Sequence, residues 1–339
     1  MSRHILRLLV LPVATLATLV LAPPLRAQGG GDLLVYSSRS HYGAEQVFAD
    51  FTRDTGIKIT FFEGNNNEVF ERLRNEGART RADVLLTVDA GNLWNAARAG
   101  LLQPVQSATL DANVPAHLRD PEGRWYGVAV RARTIMYHPG KVQPAELSTY
   151  EALADPKWKG RLCLRSSSAI YNQSLMASLI AEYGAERTEK MVRGWVSNLA
   201  ATLNNDTAVL QAIAAGQCDV GITNTYYLAR IAAKDATFPV KPFWADQQAN
   251  GVHVNISGAG VTAHTTKRAQ AVQLIEYLTR PEVQARLAGA SFEYPVNPAV
   301  KPVALLSGWG TFTPQTSGVS AAGQHQAEAV KLADRAGYR

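Results

Sequence analysis

Three short stretches concentrate side chains that could hold a cation. They are Tyr36-Ser-Ser-Arg-Ser-His41-Tyr42-Gly43, Arg165-Ser-Ser-Ser-Ala-Ile-Tyr171-Asn-Gln and Asn224-Thr-Tyr226-Tyr227. Between them they offer His41, Tyr42, Tyr171, Tyr226 and Tyr227. A phenolate is a hard anionic oxygen donor suited to a small trivalent cation, whereas softer divalent ions favour cysteine and histidine. Free tyrosine titrates near pH ~10, so something must keep it ionised at neutral pH. A bound metal ion does this, and a helix N-terminus adds about 0.3–1 kcal/mol in favour of negative charge. A single tyrosine at a helix start ordinarily packs with its hydroxyl in water, and Tyr-Tyr pairs are common in cores. The residues alone therefore point to a polar cleft more firmly than to its ligand.

The surrounding pattern explains why these stretches would face a cleft. Apolar strand-like segments alternate with helical spacing from residue 32 onward. Strands are expected at Leu33–Tyr36, Lys58–Phe62, Val84–Thr87, Arg131–His138, Arg161–Arg165, Val220–Asn224 and Ser257–Thr262. Helices are expected at Ala44–Phe51, Asn67–Glu76, Ala90–Ala99, Tyr171–Glu182, Glu186–Leu199, Asp206–Ala215, Tyr226–Lys234, Lys267–Leu278 and Pro281–Ala288. This is an α/β pattern, and it predicts mostly parallel, doubly wound sheets with helices on both faces. Such sheets bind ligands beyond the carboxyl ends of their strands. All three stretches are strand-to-helix corners of that kind. Residues 295–318, rich in Pro and Gly, read as a packed loop or a crossing between lobes.

Composition narrows the class. The 339 residues are 46% hydrophobic and 18% charged, which fits a globular chain of two domain-sized units. The first 27 residues read as a secretory signal: Arg3, His4 and Arg7, then an apolar run from Leu8 to Leu21, then Ala27 before Gln28. That run is short for a membrane span, no other could cross a bilayer, and no cysteine near the cleavage point could carry a lipid. Without Arg3, Arg7 and Arg26 the basic residues number 31 against 28 acidic ones, a net charge of +3. Such a weak excess gives no reason to expect nucleic acid as a partner. Export also bears on Cys163 and Cys218. In an oxidising compartment they either pair or remain free thiols, and the sequence leaves both open.

Val35-Tyr-Ser-Ser-Arg-Ser-His-Tyr42, Ala82-Asp-Val-Leu-Leu-Thr-Val-Asp-Ala-Gly91, Ser166-Ser-Ser-Ala-Ile-Tyr-Asn-Gln-Ser174, Cys218-Asp-Val-Gly-Ile-Thr-Asn-Thr-Tyr-Tyr227 and Tyr294-Pro295-Val296 occur in that order. Over residues 32–339 the chain resembles the ferric-iron-binding proteins of bacterial ABC importers, above all the subgroup typified by the cyanobacterial FutA proteins. The resemblance implies a type II periplasmic-binding-protein fold, two lobes joined by crossing strands with the ligand between them. The amino lobe would be residues 32–131 plus about 257–306, and the carboxy lobe 132–256 plus about 307–339.

The site that this resemblance implies takes Tyr42, and less securely His41, from the amino lobe, and Tyr171, Tyr226 and Tyr227 from the other. Ser40 is an extra residue before His41 relative to the subgroup's pattern. A transferrin-like subgroup uses a glutamate near the Ala-Asp-Val strand together with a bound anion. Here Val88, Asp89 and Ala90 stand there, Asp89 is expected to cap the following helix, and no synergistic anion is required. Four phenolates around Fe(3+) leave one negative charge, which Arg39, Arg131, Arg133 or Arg165 could offset. The function implied is non-enzymatic: a monomeric periplasmic protein carrying Fe(3+) as transported ligand, with no organic cofactor, to an importer permease and its ATPase. The alternatives are a same-fold carrier of a polyamine, thiamine or an oxyanion, a secreted hydrolase using Ser166–Ser168, and a structural adaptor.

Overall fold

The computed structural model describes residues 31–39, 44–315 and 317–339. The leader, His41 and Tyr42 lie outside the described residues. Along the chain run β1 (Leu33–Ser37), α1 (Glu45–Thr55), β2 (Ile59–Glu63), α2 (Asn66–Glu76), β3 (Val84–Val88), α3 (Ala90–Arg98), α4 (Ala108–Asn113), β4 (Tyr126–Tyr137), β5 (Leu162–Arg165), α5 (Ile170–Tyr183) and α6 (Ala185–Asn198). They are followed by β6 (Leu199–Leu203), α7 (Asp206–Ala214), β7 (Val220–Asn224), α8 (Thr225–Ala232), β8 (Lys241–Phe243), β9 (Val254–Val261), α9 (Arg268–Thr279), α10 (Pro281–Ser291), α11 (Ala304–Ser307), α12 (Ala321–Gln324) and α13 (Gln326–Arg335). No helix among the described residues is long and apolar enough to cross a membrane.

The strands form a curled sheet in the order β2-β1-β3-β9-β4-β7-β5-β6, with β8 alongside β4. Its two wings are parallel, β2-β1-β3 and β7-β5-β6. Its centre is antiparallel, because β9 pairs with β3 and β4, and β4 with β7 and β8. The expectation of a mostly parallel sheet is thus corrected to a mixed one. Each wing is built of βα units and so winds in parallel, whereas β4 and β9 return through long connections that impose no parallel sense.

β4 is the backbone of this arrangement. Residues 126–132 pair with β9 and residues 133–137 pair with β7. All twelve residues are buried, so no polar face alternates with an apolar one to mark its start. β9 changes partners too: Val254–Ala259 lie along β4, and Ser257–Val261 lie along β3. The core follows both wings, with Trp125, Trp158 and Trp195 among its largest fully buried side chains.

Cys163 and Cys218 form a disulfide with 5.8 Å between their Cα atoms. β5 lies beside β7, with Cys163 opposite Gly221, and Cys218 stands in the turn that enters β7, where the Asp219 N–H bonds the Arg161 carbonyl at 2.8 Å. The bond therefore ties together the two strands whose ends carry Tyr171 and the Tyr226-Tyr227 pair.

Candidate functional site

β5 ends at Arg165, four residues form a turn, and α5 begins at Ile170, so Tyr171 stands in its first turn. No side chain caps α5 at Ala169. Asn172 holds the corner instead, donating from Nδ2 to the carbonyls of Arg165 at 2.8 Å and Ser166 at 3.0 Å. The second corner is tighter. β7 ends at Asn224 and α8 starts at Thr225, which puts Tyr226 and Tyr227 in the first helical turn. Asn224 occupies the cap position, but its side chain does not bond the helix N–H groups. It donates to the Tyr226 hydroxyl at 3.3 Å and accepts from Arg133 at 3.2 Å.

The two corners converge. Ser38, Arg39, Val88, Arg131, Tyr171, Tyr226, Arg230, Ser257 and Glu293 line a cavity of about 60 Å³. The Tyr226 and Tyr227 rings lie 4.4 Å apart between centroids. Tyr227 is half-buried against its neighbour and does not line the cavity wall. Burial and the neighbouring Tyr227 push the Tyr171 hydroxyl up to about 12, against the Arg131 charge and a hydrogen bond with Tyr226. Burial, followed by Tyr171 and Tyr227, raises Tyr226 well above the ordinary value, again opposed by Arg131. Both phenols are therefore protonated at neutral pH.

The opposite wall carries charge. Glu293 lies between two guanidinium groups, with Arg39 Nη2 2.8 Å from one carboxylate oxygen and Arg131 Nη2 2.5 Å from the other. Burial alone would raise this carboxyl, but Arg131 and Arg39 outweigh it and hold it at about 2. Arg131 also donates to Ser257 at 2.6 Å. Its Nε and Nη1 are buried without a hydrogen-bond partner among the described residues. Two unpaired guanidinium N–H groups cost free energy unless something in the cavity accepts from them. Arg131 and Arg230 also lie 5.8 and 4.7 Å from the Tyr226 ring centroid, where cation–π attraction operates.

Of the four arginines singled out from the sequence, Arg39 and Arg131 reach the cavity. Arg165 lies 5.4 Å from the Tyr171 ring centroid. Arg133 turns away from the cavity and is held by Asp206 at 2.9 Å, by Asn172 at 2.6 Å and by the Ile222 carbonyl at 3.2 Å. It acts on the corners from behind, through Asn172 and Asn224. Asp89 caps α3 as expected, accepting from Gly91 N at 2.9 Å, and it also accepts from Ser174 of α5 at 2.7 Å and Asn255 of β9 at 3.0 Å. Its backbone is strained to do so, at φ +76°.

Sequence reasoning missed Ser38, Arg230, Ser257 and above all Glu293. Arg230 was within reach, four residues after Tyr226 on one helix face. Glu293 adjoins the Tyr294-Pro-Val stretch but comes from a loop 162 residues from Arg131. The Ser166 and Ser168 hydroxyls bond each other at 2.9 Å, and no bond of theirs reaches a histidine among the described residues. No group of three or more His, Cys, Asp or Glu able to hold a metal occurs among the described residues.

Comparison with known proteins agrees with this picture. Residues 46–314 match the family model described as bacterial extracellular solute-binding protein. The chain is 44% identical over 315 residues to "Iron uptake protein A1" of Synechocystis sp., covering 91% of this chain and 88% of that one. It is 33% identical to the "Fe(3+)-binding periplasmic protein" of Serratia marcescens, covering 84% and 85%. A solved structure of the Trichodesmium protein IdiA (FutA), in complex with iron and citrate ligands, superposes with a TM-score of 0.88 at 44% identity, covering 91% of this chain and all of that one.

Proposed function

The chain belongs to the bacterial extracellular solute-binding protein family, and we propose that its small cavity captures ferric iron through tyrosine phenolates and delivers it to an ABC importer. It has the type II substrate-binding fold and is a binding protein, not an enzyme. The observation that carries the iron reading is the convergence of Tyr171 and Tyr226 from separate corners on a cavity whose Arg131 has two unpartnered donors. At about 60 Å³ the cavity fits an ion and its immediate ligands. A polyamine would need free carboxylates, and the one carboxylate of the described lining, Glu293, is already held by two arginines.

The ligand set proposed is Tyr171, Tyr226 and Tyr227, completed by Tyr42 and by His41. Charge supports an anion-free set. The arginines of the lining, Arg39, Arg131 and Arg230, are available beside Glu293 to offset the single negative charge of four phenolates around Fe(3+). Arg131 Nε and Nη1 then find their acceptors in phenolate oxygens. The lobes proposed are residues 32–131 plus about 257–306, and 132–256 plus about 307–339. The change of partner near residue 132 on β4 and at Ser257 on β9 supports those boundaries. The protein works as an exported monomer in the periplasm, and a permease with its ATPase receives the iron.

The test is spectroscopic. Ferric loading of the mature protein at neutral pH should give an orange to red phenolate charge-transfer band with one iron per chain. Tyr226→Phe should lose the band and most of the affinity. A colourless loaded protein, or full retention of both properties by Tyr226→Phe, contradicts the proposal.

A further inference from the structure

The turn that follows α13 reaches back to the Tyr171 corner. α13 ends at Arg335, Gly337 takes φ +73°, and Tyr338 is buried at 2% exposure. Here the Tyr338 hydroxyl donates to the Arg165 carbonyl at 2.5 Å and accepts from Asn172 Nδ2 at 2.8 Å. Burial raises its pKa, so it keeps the proton it donates. Asn172 is fixed from the other side, its Oδ1 accepting from Arg133 Nη2 at 2.6 Å and Nε at 3.1 Å.

The two residues that Tyr338 holds bracket Tyr171. Asn172 follows it in the chain, and Arg165 closes β5 with its guanidinium over the Tyr171 ring. α5 has no side-chain cap of its own, so the orientation of its first turn depends on Asn172 and on what fixes Asn172. Residues 166 and 173 positions apart in sequence are thereby joined beside one phenol.

We propose that Tyr338 is a positioning residue for Tyr171: the turn after α13 sets the angle at which that phenol enters the cavity. The inference rests on the reading of Tyr171 as an iron ligand. An oxygen that supports a metal ligand from behind typically changes metal affinity by about 10–100-fold. A residue that merely docks α13 would change the melting temperature alone.

The experiment uses the full mature chain. Tyr338→Phe keeps the ring and deletes the hydroxyl. It should fold, show a displaced ferric charge-transfer maximum, and lose iron to a competing chelator about 10–100-fold faster than wild type. In a Tyr171→Phe background the same change should add nothing to either readout. Leu332→Ala, which cuts into the buried face of α13, should lower stability and leave the band in place. A wild-type band and release rate in Tyr338→Phe overturns the proposal, whatever its melting temperature. An equal displacement of the band by Leu332→Ala overturns it also. Wild-type behaviour of Tyr171→Phe overturns the ligand reading and the proposal with it, which separates the two failures. If Tyr338→Phe gives no folded protein, Tyr338→His, which retains a polar ring atom toward Asn172, is judged by the same band and release rate.

Discussion

Iron capture should depend steeply on pH, and the steepness follows from two buried phenols. The Tyr171 hydroxyl is pushed up to about 12, and that of Tyr226 is raised well above its ordinary value. The metal-free protein therefore carries both protons throughout the range from pH 5 to 9. Each phenol must lose its proton to bind a trivalent ion, so capture releases at least two protons from these side chains. Linkage then sets the sign and size: apparent affinity rises with pH by at least about 100-fold per unit, or about 10,000-fold from pH 6 to pH 8. Ionising Tyr171 at pH 7 costs five units at 1.36 kcal/mol each, about 7 kcal/mol, which the metal must offset. The assay is competition between the protein and a chelator of known protonation, followed through the charge-transfer band, with proton release measured calorimetrically in two buffers of different ionisation enthalpy. Tyr171→Phe should lower the slope by one proton. A corrected slope of one or less in the wild-type protein, or an unchanged slope in Tyr171→Phe, refutes the reasoning.

Two further outcomes follow from the same geometry. The disulfide closes a loop of sequence separation 55, so Cys163→Ala with Cys218→Ala should reduce the stability of the metal-free protein by about 4 kcal/mol in urea unfolding. A loss below about 1 kcal/mol would mean that strand pairing alone holds β5 to β7. Glu293→Gln removes the carboxylate that Arg39 and Arg131 share, and breaking such a buried set costs about 3–5 kcal/mol, measurable as a fall in melting temperature before iron is added. Added iron should recover part of that loss, because phenolates supply negative charge to the same guanidinium groups. A variant as stable as wild type without iron would show that the arginines do not depend on Glu293.

What could be read from the chain was local. The corners at Arg165–Tyr171 and Asn224–Tyr227 were visible because strand ends, a turn and a helical period lie side by side in sequence. The same holds for β1, α2, β3 and α3, whose bounds differ from expectation by a residue or two. β4 was expected to begin at Arg131 and begins at Tyr126, because a strand buried on both faces shows no alternation at its edge. β6, five residues long and exposed on one face, carried too weak a signal, and so did the short β8 and the tail helices. Whether Cys163 and Cys218 pair was undecidable from composition. The turn that enters β7 brings Cys218 to within 5.8 Å of Cys163, Cα to Cα, and the two form a disulfide. Glu293 and Ser257 could not be anticipated, since each reaches Arg131 across more than a hundred residues of chain.

The placement of Arg131 makes sense of why the site needs the crossing strands at all. Arg131 pairs with Asn255 on β9, just before β4 leaves β9 for β7. Its side chain bonds Ser257, which itself lies between Ala129 of β4 and Val88 of β3. The positive wall of the cavity is thus built on the strands that both wings share, while the phenols project from helix starts on the β5–β7 wing. The cavity can then hold its compensating charge before any ligand arrives, and the cost of burying it is borne by the Glu293 pair in the empty protein. Iron binding need only ionise and align phenols against a wall already in place, which is why the pH dependence should follow the tyrosines and not the arginines.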